Sequence, residues 1–60
     1  MKRLIAVRKE KKLTQRDLAK RSQITQVTIA RLETGKFDPR LSTLRLLAKA
    51  LKVKVSDLID

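Results

Sequence analysis

Apolar side chains recur every three or four residues along most of this chain, which is the period of an amphipathic α-helix. The pattern is clearest towards the end, where Leu44, Leu47, Ala48 and Leu51 form one stripe. Val, Ile and Thr are few and scattered, which disfavours a sheet. The sequence therefore predicts an all-α fold of five helices, at about residues 2–11, 15–22, 26–34, 41–51 and 55–59.

Residues typical of helix ends stand where the predicted helices begin and stop. Thr14 can cap the second helix, with Asp17 three residues later in a variant of the capping box. Thr25 can cap the third helix, and Gly35 can end it in a left-handed conformation. We expect the loop after Gly35 to place the ring of Phe37 in the core.

Length and composition limit the kind of protein. Sixty residues make one small domain, residues 1–60. The chain has neither Cys nor His, so it lacks disulfides, thiolate metal sites and the common acid–base and nucleophilic arrangements. We expect no enzyme, no metal site and no cofactor. No apolar run is long enough to span a bilayer or to form a signal peptide, so we expect a cytoplasmic protein.

The charge balance indicates an anionic partner. Sixteen Lys and Arg residues against six Asp and Glu give a formal net charge of +10. A field of this size attracts polyanions, of which nucleic acid is the commonest and an anionic membrane surface the next. The alternative is a basic protein without a specific partner.

The second and third predicted helices are short and are joined by only three residues, 23–25. Ala19 is small enough for two steeply crossing helices to approach there, and Ile29 and Leu32 can hold the later helix against the earlier one. This is the pattern of a helix-turn-helix, whose second helix protrudes. The major groove of B-DNA is wide enough to accept such a helix.

The third helix starts with residues that favour helix stability poorly, since Val27 and Thr28 are both β-branched. In a helix-turn-helix this first turn lies deepest in the groove. Gln26 can form two hydrogen bonds with adenine, Val27 suits the methyl group of thymine, and Arg31 can reach a guanine edge or a phosphate. We expect Thr28 to face the protein or the DNA backbone. The alternative is that Gln26 and Val27 are ordinary exposed residues.

The chain resembles the Cro/phage-repressor type of helix-turn-helix domain, also called the Xre family, over residues 2–59. The resemblance implies a compact five-helix bundle of the lambda-repressor-like type that binds operator DNA, usually as a symmetric dimer. The positions that carry it are Arg8, Leu13-Thr14-Gln15, Leu18-Ala19, Ile24-Thr25, Thr28-Ile29-Ala30-Arg31-Leu32-Glu33, Gly35-Lys36, Pro39, Thr43-Leu44, Leu47-Ala48, Ala50-Leu51, Val53 and Leu58.

The resemblance also implies roles for residues around the third helix, which would be the recognition helix that enters the major groove. Gln15 would contact a phosphate at the start of the second helix, and Arg8 and Glu33 would form a structural ion pair. Arg16 and Arg40 can add phosphate contacts, or can simply be solvated charges. The complete set expected at the DNA backbone is Gln15, Arg16, Thr25, Thr28, Thr34, Lys36 and Arg40.

The chain departs from the family pattern at three turns. Gln23 and Lys52 stand where glycine is usual, and a left-handed conformation costs such residues on the order of 1 kcal/mol. Lys54 replaces the usual cap of the last helix, so we expect that helix to fray.

Leu46 is apolar at a position that the family usually leaves polar. With Ala50 and Val53 it forms a second apolar strip, which is either a dimer contact or one harmless exposed leucine.

We therefore expect a sequence-specific regulator of transcription, a repressor that binds a palindromic operator in double-stranded DNA as a homodimer and associates with the nucleoid. An antitoxin, or the DNA-binding subunit of a larger complex with an unknown protein partner, is the alternative. A membrane-surface role would leave the spacing of the second and third helices unexplained.

Overall fold

The helices begin and end close to where the sequence predicts. The computed structural model describes residues 1–36 and 38–59, so the expectation for Phe37 lies outside the described residues. No helix in these two ranges combines the length and the apolar character needed to cross a membrane. The elements are α1 (Lys2–Glu10), α2 (Gln15–Ser22), α3 (Gln26–Thr34), α4 (Leu41–Leu51) and a short 3-10 helix (Val55–Leu58).

The prediction of five α-helices needs one correction. The described residues form no strand, so the all-α fold is confirmed, but there are four α-helices and the fifth segment is a single 3-10 turn. Four residues are too few for a regular i to i+4 ladder, and 3-10 pieces of this length are common as terminal elements. The start of this turn is held by a hydrogen bond, in which the backbone N–H of Lys54 donates to the Asp57 carboxylate at 3.0 Å.

One core holds the five elements together. α2 packs on α3 and α4, while the 3-10 helix contacts α1 and α4. Burying a leucine or isoleucine side chain stabilises the fold by roughly 1.5–3 kcal/mol. The core therefore fixes α3 from behind. Its buried side chains are Leu4, Leu18, Ile29, Leu32, Leu47, Ala48, Leu51 and Leu58.

Among the described residues, three non-glycine residues adopt left-handed backbone conformations at or just after helix ends. The expected ones, Gln23 and Lys52, have φ of 62° and 58°. Lys12, with φ of 59°, joins them, although its sequence context does not predict it. Gln23 and Lys52 cap the ends of α2 and α4, and Lys12 follows the C-cap of α1. The N–H of each donates to a carbonyl of the preceding helix, as when that of Gln23 donates to Ala19 at 2.9 Å. These hydrogen bonds partly offset a conformational cost of roughly 1–2 kcal/mol per residue.

Candidate nucleic-acid interface

The start of α3 is held by a threonine cap. The backbone of Thr25 is extended, and its hydroxyl accepts the N–H of Thr28 at 3.2 Å. The same hydroxyl donates to the hydroxyl of Thr28 at 2.8 Å. This cap offsets the low helix propensity of Val27 and Thr28, and it orders the first turn.

The predicted base-reading residues of α3 are exposed to solvent. Gln26, Val27 and Arg31 are all exposed, and Val27 exposes 62% of its surface. Ile29 and Leu32, on the opposite side of the same helix, are completely buried. α3 is therefore anchored by one face while the other face is free.

A buried serine fixes the turn between α2 and α3. Ser22 is 3% exposed, and its hydroxyl donates to the Leu18 carbonyl at 2.7 Å and accepts the N–H of Ile24 at 3.2 Å. Because the hydroxyl bonds both to α2 and to the chain entering α3, it ties the two helices together. The predicted helix bounds place Ser22 only as the last residue of the second helix and give it no role. A hydroxyl residue in the last turn before a left-handed residue was the available signal.

An ion pair joins α1 to α3. The Nε and Nη2 atoms of Arg8 donate to the Glu33 carboxylate at 2.6 and 3.1 Å, and Nη1 donates to the Leu13 carbonyl at 2.8 Å. The two side chains are only 10% and 6% exposed. Burial raises the pKa of Glu33, but hydrogen bonds from Arg8 and Gln15 outweigh it and leave the pKa lowered. Glu33 is therefore held as a carboxylate.

Gln15 belongs to the same hydrogen-bond network, and the sequence did not predict this contact. Its side-chain Nε2 donates to Glu33 Oε1 at 2.9 Å, so one carboxylate connects α1, α2 and α3. An amide group carries a second N–H and an oxygen, which this bond leaves available. Gln15 is half-buried, at the first position of α2. Only the three-dimensional arrangement brings residues 15 and 33 together.

The residues expected at the DNA backbone differ in what they can still donate. Arg16, Lys36 and Arg40 are exposed cations. The exposed Thr25 and Thr34 already use their hydroxyl protons, since that of Thr34 donates to the Arg31 carbonyl at 2.9 Å. The half-buried Thr28 accepts from Thr25 and keeps its own hydroxyl proton. A hydroxyl has one proton to donate. That of Thr28 is therefore available to an outside acceptor, whereas those of Thr25 and Thr34 are used within the protein.

The far end of α3 is tied down as well. The amino group of Met1 donates to the Leu32 carbonyl at 3.1 Å. Gly35 ends the helix in the left-handed conformation, with φ of 75°, as predicted. A positive charge near the last carbonyls of a helix interacts favourably with its dipole.

The apolar strip that is the candidate dimer contact is divided between two grooves. Leu46, 44% exposed, and the half-buried Ala50 line a groove of about 520 Å³ between the end of α2 and the outer side of α4. Val53 lines a different groove, beside α1. We call the first the α2–α4 groove, and its remaining lining side chains include Arg21, Gln23, Lys49 and Lys52.

Residues 4–58 match the helix-turn-helix family. The immunity repressor protein of Bacillus phage phi105 is 40% identical over 57 residues, which are 95% of this chain and 40% of that protein. An uncharacterised HTH-type transcriptional regulator of Methanocaldococcus jannaschii is 44% identical over 77% of this chain and 70% of that protein. Antitoxin HigA1 of Mycobacterium tuberculosis is 42% identical over 87% of this chain and 35% of that protein.

The chain thus spans less than half the length of the phage and mycobacterial relatives. No solved structure matches it at a significant level. The match over nearly all of its residues, together with the short paired helices α2 and α3, shows that the chain belongs to the helix-turn-helix family, in its Cro/phage-repressor branch.

Proposed function

We propose that this chain is a sequence-specific, double-stranded-DNA-binding regulator of transcription, acting as a repressor, whose helix α3 enters the major groove. The observation that carries the proposal is the first turn of α3, where Gln26 and Val27 are exposed on a helix that the core fixes through Ile29 and Leu32. A rigid helix with an open, capped tip is the form that a recognition helix requires. The role is one of binding, without catalysis.

Base reading falls to the exposed side of α3. Gln26 pairs its amide with the N6 and N7 positions of adenine, and Val27 contacts the methyl group of thymine. Arg31 lies four residues after Val27, on the same side of the helix, and reaches a guanine edge or a phosphate. The network around Glu33 ties the last turns of α3 to α1 and α2.

Phosphate contacts position this tip. Arg16, Lys36 and Arg40 supply exposed positive charge, and Gln15 contributes the N–H that it does not donate to Glu33. Thr28 contributes its free hydroxyl proton, while Thr25 and Thr34 approach the backbone with their exposed ends. Such contacts set register and orientation without reading sequence.

On DNA we expect two copies. A two-fold dimer would place two α3 helices one helical turn of DNA apart and would select a palindromic operator. A protein with this role works in the cytoplasm, on the nucleoid.

The test is selection of bound sequences from a random duplex pool, with wild type and Gln26→Ala compared. We expect the wild type to select a palindromic consensus. We expect Gln26→Ala to lose roughly 1–3 kcal/mol of discrimination at one base pair of each half-site.

Lys36→Ala is the matched control, because it removes a phosphate contact and should weaken binding to all sequences alike. If Gln26→Ala selected the same consensus with the same affinity, the assignment of base reading to the tip of α3 would be wrong.

A second candidate role is that of an antitoxin or of the DNA-binding subunit of a larger complex, with DNA binding used for autoregulation. The 42% identity to antitoxin HigA1 favours it. Isolation of the protein from its own cells would distinguish the two roles. A partner present in equal amount would support the second role, and a homodimer alone would support the first.

A further inference from the structure

The α2–α4 groove has a composition that DNA binding by α3 does not explain. Two of its lining residues are the apolar Leu46 and Ala50, and three are the cations Arg21, Lys49 and Lys52. Its volume of about 520 Å³ lies in the range of pockets that hold ligands. None of its lining residues belongs to α3. An occupant of the groove would therefore leave the tip of α3 free.

The positive charge of this groove does not simply reflect the net charge of the whole chain, because no acid in the described lining balances it locally. Of the described residues that line it, three are cations and none is acidic. Two other grooves in the described part of the chain do contain carboxylates, Glu10 and Asp57 in one and Asp38 in the other. The segment from residue 39 to residue 56 contains no acidic residue at all. A carboxylate-bearing partner would therefore meet uniform positive potential here.

The exposed Leu46 favours a protein over a nucleic acid as the occupant of the groove. Leu46 is 44% exposed and lies beside Ala50, so the groove contains apolar surface that a charged phosphate backbone cannot cover favourably. An amphipathic helix can cover it with an apolar side chain while its acidic flank meets the cations around it. Helix-in-groove recognition of this kind reads apolar positions three and four residues apart.

A second copy of this chain fits the groove poorly. In a two-fold contact each copy would present Arg21, Lys49 and Lys52 to the same cations of its partner. Three of the six acids of the chain offer little compensation, since Asp17 and Asp57 accept the backbone N–H groups of Thr14 and Lys54 and Glu33 is paired with Arg8. Like charges brought together at an interface cost binding energy.

We propose that the α2–α4 groove docks an acidic amphipathic helix of a different protein while α3 remains bound to DNA. Leu46 and Ala50 receive an apolar side chain of that helix, and Arg21, Lys49 and Lys52 pair with its carboxylates. The groove thereby gives the regulator a contact to a second protein that is independent of its operator.

The test uses amide chemical shifts of the isotope-labelled chain and three short helical peptides. The first carries leucines on one face and glutamates on the flank, the second has glutamine in place of glutamate, and the third has alanine in place of leucine. We expect the first peptide to shift the amides of residues 21–23 and 46–52 and to leave Gln26 and Val27 unchanged. We expect the other two to bind about tenfold more weakly or not at all.

Two variants check the groove itself. Lys49→Glu and Leu46→Gln change exposed side chains, so both should fold, and each should weaken the first peptide about tenfold. Lys11→Glu makes the same charge change in a neighbouring groove and should alter affinity less than about twofold.

Three outcomes would overturn the proposal. The largest shifts from the first peptide could fall in α3, which would make the effect one of general charge. A short DNA duplex could shift residues 46–52 as strongly as the peptide does, which would make the groove a flank of the DNA site. The same amides could shift with protein concentration alone, which would assign the groove to a second copy of this chain.

Discussion

At the scale of single residues, the Glu33 carboxylate joins three helices. It accepts hydrogen bonds from Arg8 in α1 and Gln15 in α2 while it is itself part of α3. Its pKa is lowered in the folded state, because these hydrogen bonds outweigh the effect of burial, which raises it. A group of this kind stabilises the fold above its unfolded pKa, and the contribution is lost as the pH falls through the folded pKa.

We predict that the protein loses stability as the pH falls below about 4.5, the ordinary pKa of the Glu33 carboxyl. Glu33→Gln should reduce this pH dependence and should lower the free energy of unfolding at pH 7 by about 1–3 kcal/mol. Urea unfolding at a series of pH values measures both effects. Equal pH dependence in the two proteins would mean that Glu33 does not carry it.

The left-handed residues give a second prediction at this scale. Gln23→Gly relieves a left-handed Cβ at φ of 62° but increases the freedom of the unfolded chain, so we expect a net stabilisation of about 0.5 kcal/mol. Gly35→Ala should do the reverse and destabilise by about 1 kcal/mol. A Cβ at Gly35 would have nothing within 4 Å, so its cost is one of backbone conformation alone. Thermal unfolding measures both, and destabilisation by Gln23→Gly would contradict the argument.

At the scale of elements, α3 combines a sequence that favours helix weakly with strong attachments at its ends. The hydroxyl of Thr25 caps its first turn, and the left-handed Gly35 and the amino group of Met1 serve its last. Between them Ile29 and Leu32 anchor one face in the core. The order of the exposed tip therefore depends on the cap more than on the residues of the tip.

We predict that Thr25→Ala destabilises the fold by about 1 kcal/mol and that Thr25→Ser is close to neutral. The amide of Thr28 donates to the Thr25 hydroxyl at 3.2 Å. Hydrogen exchange at this amide should therefore accelerate in the alanine variant alone. Specific DNA affinity should fall with it, because an unordered tip must be ordered on binding. Unchanged exchange at Thr28 would show that the cap does not hold the first turn.

At the scale of the whole molecule, the formal net charge of +10 acts on a body whose Cα atoms span only 23 × 22 × 19 Å. The field attracts DNA in any orientation, so affinity alone does not identify the binding face. The salt dependence does, because only a cation that contacts a phosphate contributes to its slope.

We predict that Arg40→Gln makes the slope of log affinity against log salt shallower by about 0.9. Lys54→Gln removes the same charge at an exposed position outside the proposed interface and should leave the slope unchanged. Binding to one duplex over a range of salt concentrations measures this. Equal changes in the two variants would mean that Arg40 contributes only to the general field.

Local chemistry predicted the elements of this fold well, and contacts between helices less well. The capping pair Thr14 and Asp17 was predictable, because it depends on residues within one helical turn, and the left-handed Gln23 was expected from the family pattern, which usually has glycine there. The bond from Gln15 to Glu33 was not, because it depends on how α2 crosses α3. The 3-10 form of the last segment was not predicted either, and this segment packs on α1 and α4 with Leu58 buried.

The one-sided attachment of α3 has a consequence for how such a molecule can change. Substitutions on the outward side of this helix remove no buried contact, so we expect them to leave folding largely intact. A library randomised at positions 26, 27 and 31 should consist largely of folded proteins with different preferred sites. Under the proposed base-reading role, the DNA specificity of this sixty-residue chain can then be changed at these three positions without compensating substitutions in its core.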